Sequence, residues 1–238
     1  LHTIDLNNCF KQAFNRCKTM STNDLESTPD RIVEAAGREF ADKGFDQATV
    51  RDICQRAGAN LAAVNYHFGD KHKLYVAAVT TAHRWILSQT PLPKRPEGTP
   101  AQALLADFLR AFLRRIRTAA KDSWQARLMM REMTTQHSAC AELVQDSIRP
   151  EFERLLGILK QLLPESMPPE EQHLFAFSMV GQCLFYHFAD PVVRCLIDEA
   201  EYDELTTDRL ADHITQFSLA AVERLHGTSQ RAKVTAGE

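Results

Sequence analysis

An asparagine amide set among small side chains is suited to reading base edges, and the stretch Ala48 to Lys71, ATVRDICQRAGANLAAVNYHFGDK, carries that combination. Asn65 offers a donor and an acceptor matched to adenine, and Ala62 or Ala63 can touch a thymine methyl. Lys71, His72 and Lys73 open the next segment, where ammonium groups and helix N–H groups suit a phosphate, and Arg51 is a further phosphate candidate. Two short helices must position these groups. The first opens at Thr49, whose hydroxyl can cap it, and places Val50, Ile53, Cys54 and Ala57 on one face. Gly58 stops it, because glycine tolerates the left-handed conformation of a tight turn, and Asn60 can cap a second helix. In that helix Val64 and Phe68 point to a core, which leaves Leu61, Ala62, Ala63, Asn65 and the ring edges of Tyr66 and His67 facing outward. The pattern is a helix-turn-helix. On periodicity alone, a helical corner of any all-helical protein fits it equally well.

Further residues separate the two. Arg31 to Leu74 resembles the N-terminal domain of the tetracycline-repressor (TetR) family through Ala35-Ala36, Phe40 with Gly44-Phe45, Thr49-Val50, Ile53, Ala57-Gly58, and Tyr66-His67-Phe68 followed by Lys71 and Leu74. One position departs from the family pattern. Where the family most often has tyrosine after the buried aliphatic residue of the recognition helix, this chain has Asn65, and the tyrosine follows. The resemblance implies an all-α fold with an N-terminal three-helix helix-turn-helix domain and a C-terminal helical ligand-binding and dimerisation domain. It implies DNA contacts from Thr49, Arg51, Asn60, Leu61, Ala62, Ala63, Asn65, Tyr66, His67 and Lys71. A weaker likeness covers Trp124 to Ile197. There the runs LMMREM, SIRPEFERLL and FSMVGQCLFYHFADPVV look like the regulatory domain of CecR-type members, which implies a sensor domain without naming its effector.

Composition sets the outer bounds. The 238 residues, 44% hydrophobic and 25% charged, suffice for two globular domains. The formal net charge of −3 is not that of a nonspecific nucleic-acid binder, so phosphate contact depends on a few placed groups. The six cysteines include no CxxC pair, and HExxH is absent; reduced thiols in the cytoplasm are expected, with no metal or cofactor. No apolar run approaches the length of a membrane span.

Along the chain, residues 1–28 are expected to be a flexible extension, with Leu1 to Thr19 either upstream of a start at Met20 or an arm carrying Lys11, Arg16 and Lys18 toward DNA. Residues 29–75 form the expected helix-turn-helix domain. Its first helix starts near Pro29-Asp30, buries Ile32, Ala36 and Phe40, and ends at Gly44, with Phe45 folding back. Residues 76–226 form the expected effector-binding and dimerisation domain, and 227–238 a disordered tail. A helix from Lys71 to about Ser88, with Leu74, Ala78, Thr81 and Trp85 on one side, links the two. Thr90 to Pro100, with four prolines, is the clearest break. The next helix, Ala101 to about Ala120, is amphipathic, and Arg110, Arg114, Arg115 and Arg117 are expected on its solvated face.

Ser123 to Thr135 is the most ligand-like stretch, since methionines adapt to varied apolar shapes and a charged group at a pocket wall can orient a ligand. Trp124, Met129, Met130, Arg131 and Met133 are candidate effector contacts, with Phe108, Phe112 and His187 beside them; core filling is the competing role. Arg149-Pro150 restarts a helix. Glu170 to Ala189 is apolar on most of its circumference and is expected to be buried on several sides, with Gly181 allowing a helix to approach. That segment and the last helix, Leu205 to about Leu225, look like a subunit interface. The resemblance implies that they pair with their copies in a four-helix bundle.

Three function classes compete. A ligand-responsive regulator, most simply a repressor, would bind a palindromic operator in double-stranded DNA as a homodimer and be released by a small-molecule effector; an activator or dual regulator would share the fold. An all-helical enzyme would need a site such as Cys183 with His187, but no orienting group or phosphate loop accompanies that pair, so no catalytic activity is expected. A protein-binding scaffold would have no use for a helix-turn-helix with small outward residues.

Overall fold

The computed structural model describes residues 27–117, 123–134 and 144–235; for 146, 147 and 227–235 it describes the backbone alone. The proposed N-terminal extension and arm therefore lie almost wholly outside the described residues. Every regular element described is helical.

Helix α1, Thr28–Gln47, starts as its sequence dictates. Ser27 accepts from the Asp30 N–H, proline occupies the first turn, and Asp30 meets the positive end of the helix dipole. At Gly44 the backbone takes φ +80, outside helical space, so the chain kinks there and a last turn continues to Gln47. The kink turns Phe45 back onto Phe40 and Tyr75. Helix α2, Val50–Ala57, is capped by Thr49 and closed by left-handed Gly58. Helix α3, Leu61–Phe68, is capped by Asn60. Helix α4, Lys71–Gln89, is capped by Asp70 and buries Leu74, Tyr75 and Ala77 to Thr80 with Ala82. Thr81, expected on the buried side, is exposed, because the face packed against α1 is turned toward Ala78 and Ala82.

After the proline-rich segment come α5, Ala101–Arg117, and α6, Trp124–Thr134. A π-helical turn at Val144–Ile148 runs into α7, Arg149–Leu159. Then follow α8, Pro169–Phe188, the short α9, Asp190–Leu196, and α10, Glu199–Asp203. The last helix, α11, spans Thr207–Thr235 and so continues past Gly227, where an unstructured tail was expected.

Two apolar cores organise these helices. One joins α1 to α4 with Trp124, Leu128 and Met129 of α6. The other joins α5, α7, α8 and α11 around Leu105, Leu109, Leu155, Met179 and Ile214. The core of the helix-turn-helix unit thus extends beyond the expected boundary at residue 75 and takes in a helix some fifty residues downstream. The arginines of α5 are only partly a solvated face: Arg114 is exposed, but all four also bond other helices or the segment before α11. Arg110 pairs with Asp212 at 2.5 Å and Arg114 with Asp208 at 2.9 Å, both on α11. Arg115, its side chain only 8% exposed, pairs with Glu151 of α7 at 2.7 Å, and Arg117 donates to the Leu205 carbonyl. These charges join helices because acidic residues lie opposite them on α7 and α11, a pairing that the periodicity of α5 alone does not reveal.

Helix α8 also departs from expectation. Of its twenty residues only Ala176, Met179 and Cys183 are buried in the single chain. Leu174, Phe177, Phe185 and Phe188 are exposed.

Candidate nucleic-acid interface

The capping residues fix the geometry of the α2–α3 corner. Thr49 Oγ1 accepts from the Asp52 N–H at 3.1 Å, and Asn60 Oδ1 accepts from the Ala63 N–H at 2.8 Å. Both side chains are thus occupied in starting helices. Gly58 closes α2 by donating its N–H toward Gln55, and Ala59 donates to the Cys54 carbonyl. Inside the corner, Ile53, Ala57 and Val64 are buried. A short helix held on one side by Val64 presents most of its other side to solvent among the described residues. Leu61, Ala62, Asn65 and Tyr66 are exposed, Tyr66 to 77%, while Ala63 and His67 are half-buried. The Tyr66 and His67 rings meet edge to face with centroids 5.0 Å apart.

Charged groups around this face divide into bound and available. Lys43 bridges Asp52 at 3.0 Å and Glu39, and the two carboxylates hold its ammonium pKa above the ordinary value. In return Lys43, with the Thr49 hydroxyl, lowers that of Asp52. Arg56 is tied to the buried Glu39 at 3.1 Å. Lys71 is anchored too. Its Nζ lies 4.6 Å over the Phe45 ring and donates to the Asp46 carbonyl at 3.3 Å, so it joins the end of α1 to the start of α4. At that start, Asp70 already accepts from the Lys73 N–H at 2.8 Å, so a carboxylate occupies part of the helix terminus expected to receive a phosphate. Arg51 and Lys73 are exposed and, among the described residues, form no ion pair. They are the available cations on the helices before and after α3, with Lys71 as a partly committed third.

The candidate effector residues separate into three places. Phe108 and Phe112 stack with centroids 6.4 Å apart in the second core. Trp124 and Met129 are buried in the first core, Met130 and Arg131 are half-buried beside it, and Met133 is exposed. His187 lines a polar cavity with Arg117, Tyr186, Asp190, Arg194 and Tyr202. No single pocket holds them, because the apolar stripe of α6 faces α1 and α4.

Contacts of α6 are specific. The Trp124 ring lies over Gly37, where an added Cβ would sit 2.1 Å from Cζ3, and its Nε1 donates to Glu34 at 3.0 Å. Arg127 pairs with Asp42 at 2.9 Å, and Arg131 donates to the Ala41 carbonyl at 3.2 Å. The Tyr75 hydroxyl donates to buried Glu132; burial and this bond push the tyrosine pKa up. Sequence reasoning missed Gly37, Glu34 and Tyr75 as partners of α6. The one legible signal was a tryptophan at the start of an apolar stripe. Cys183 is fully buried, and burial pushes its thiol up to about 12. Among the described residues no group of histidine, cysteine and acidic side chains is arranged to hold a metal, and no helix is long and apolar enough to cross a membrane.

Comparison with known proteins agrees with this architecture. Residues 32–78 match the bacterial regulatory proteins of the tetR family, and residues 101–222 match the C-terminal domain of the HTH-type transcriptional dual regulator CecR. The dual regulator CecR of Shigella flexneri is 23% identical over 203 residues, 80% of this chain and 89% of that protein. The transcriptional repressor AcnR of Corynebacterium efficiens is 46% identical over 46 residues, 19% of this chain and 24% of that protein. Among solved structures, a TetR-like transcriptional regulator from Rhodococcus sp. RHA1 has a TM-score of 0.54 at 20% identity, covering 84% of this chain and 99% of its own. A TetR-family regulator from Streptomyces coelicolor A3 has a TM-score of 0.51 at 17% identity, covering 86% and 99%. At these identities the structures speak for the fold.

Proposed function

The chain belongs to the TetR family of bacterial transcriptional regulators, with a C-terminal domain of the CecR type, and on that premise we propose that it is a homodimeric repressor of a palindromic operator, released by a small-molecule effector. Its business is binding DNA rather than catalysis. The observation that carries the proposal is the α3 face, a short helix fixed by Val64 and the Asn60 cap that offers Ala62, Asn65 and Tyr66 outward between Arg51 and Lys73. Small residues let such a helix approach a major-groove floor, Asn65 reads a base edge, and the two cations bind flanking phosphates.

The exposed face of α8 supports the dimer. Leu174, Phe177, Gly181, Phe185 and Phe188 follow helical spacing within one narrow stripe, and nothing stands within 4 Å of a Cβ added at Gly181. Phe217 of α11 is exposed as well. A second copy related by a two-fold axis covers such a stripe and sets two α3 helices about 34–36 Å apart, one turn of duplex. Effector binding that favours another spacing releases DNA by linkage. A dual mode is the second reading, because the relative that spans most of this chain is a dual regulator. Selection of random duplexes by the purified protein tests the proposal: a palindromic motif supports it, and recovery of no motif by folded protein contradicts it.

A further inference from the structure

The end of α5 meets the α8–α11 corner at a polar cavity of about 260 Å³. Its charges are unequally satisfied. Asp190 accepts from the Tyr202 hydroxyl and from Arg194 Nε at 3.3 Å, and the Arg194 guanidinium stacks 3.9 Å over the Tyr202 ring, so these three groups form a matched set. Arg117 is not matched. Its half-buried guanidinium donates to the Leu205 carbonyl at 3.2 Å and, among the described residues, has no carboxylate within ion-pair distance. Nor, among them, do the hydroxyls of Tyr186 and Thr207, which line the same space, form a side-chain hydrogen bond. A partly desolvated guanidinium whose partner is a neutral carbonyl binds an oxyanion more strongly than it holds that carbonyl, since a full opposite charge attracts it more than a carbonyl dipole does. Asp203 on the exposed side has the opposite sign and disfavours multiply charged guests.

The geometry points to this cavity as the effector site, taking a small singly charged oxyanion, a carboxylate or a phosphate diester, held by Arg117 with the Tyr186 and Thr207 hydroxyls. The inference rests on the effector-responsive regulator described above and names its ligand class. Placement gives the site a route to DNA. Arg117 and Arg115 are two residues apart, about 200° around α5. Arg115, on the opposite face, donates to Glu151 and, at 3.2 Å, to the carbonyl of Thr90, the residue that ends α4. Helix α5 therefore lies between the cavity and the end of the helix that carries the DNA-binding unit. An anion that draws Arg117 away from Leu205 shifts α5 against that end.

Calorimetric titration of the full chain with acetate, benzoate, dimethyl phosphate and diethyl phosphate, with benzamide as the neutral control, tests the site. The expected result is saturable binding of at least one anion, none of benzamide, a loss of about tenfold or more in Arg117→Met, and substantial retention in Arg117→Lys. Binding by the carboxylates alone or the phosphates alone identifies the source. Tyr186→Phe, which removes one oxygen and keeps the ring, should weaken binding severalfold and guards against misfolding of the arginine variant. No saturable binding of any anion at about 10 mM, ten times a millimolar Kd, overturns the inference, as does equal binding by the wild type, Arg117→Met and Tyr186→Phe. Operator binding measured on the same protein keeps the two proposals apart. A chain that binds operator but no anion loses only this site, whereas one that selects no DNA loses the regulator proposal whatever its anion binding.

Discussion

Asn65 and Lys73 stand for the two kinds of contact that a groove-bound helix makes, one informative about sequence and one not. Replacing Asn65 by alanine should cost about 1–3 kcal/mol of discrimination between operator and mismatched duplex, and binding isotherms on both should show the loss concentrated on the operator. Lys73→Ala should weaken all duplexes alike and reduce the salt slope by about 1. Lys71→Ala is a mixed case, because its ammonium also joins Asp46 and the Phe45 ring; it should lower the melting temperature as well as the affinity. His83 is a different residue-scale test. Its Nδ1 is buried with no hydrogen-bond partner among the described residues, and burial lowers its pKa below the ordinary 6.5. The unfolded chain therefore binds a proton that the folded chain resists. Stability should fall as pH drops below about 6.5 and level off below the folded pKa, and urea melts of His83→Gln should lack that component of the slope.

At the scale of elements, α6 is the helix on which the DNA-binding unit depends. Trp124→Ala should cost about 3–5 kcal/mol in chemical denaturation, because it empties the space over Gly37 and leaves Glu34 without its indole partner. Gly37→Ala should also destabilise, since its Cβ meets the same ring, and the effects of the two substitutions should not add. The helix-turn-helix was legible in the sequence because its caps and turns are local. Thr49, Gly58 and Asn60 act within three residues of themselves, and each stands where the spacing of Val50, Ile53 and Val64 requires. The role of α6 was not legible. Methionines beside a tryptophan suit a pocket and a core equally, and the partner surface lies on α1, about ninety residues earlier in the chain. The arginines of α5 failed for the same reason, since Asp208, Asp212 and Glu151 are distant in sequence. The α8 stripe differs again. Its apolar surplus was visible, but among the described residues the single chain leaves it exposed, which fits the proposed pairing with a second copy.

For the whole molecule, the two cores assign tasks. One holds α3 in place for DNA, the other supports the cavity and the exposed stripe, and α4 with α5 connects them. Phe177→Glu places a charge within the stripe and should convert the protein to a monomer by light scattering, with helicity retained and operator affinity reduced. A dimer that survives that change would move the interface elsewhere. The most direct test of the central claim is selection from a library of random duplexes at near-physiological salt, followed by sequencing of the bound fraction. The account predicts a palindrome whose half-sites are centred one helical turn, about 10 base pairs, apart. Enrichment of no sequence by a folded, dimeric protein would contradict it.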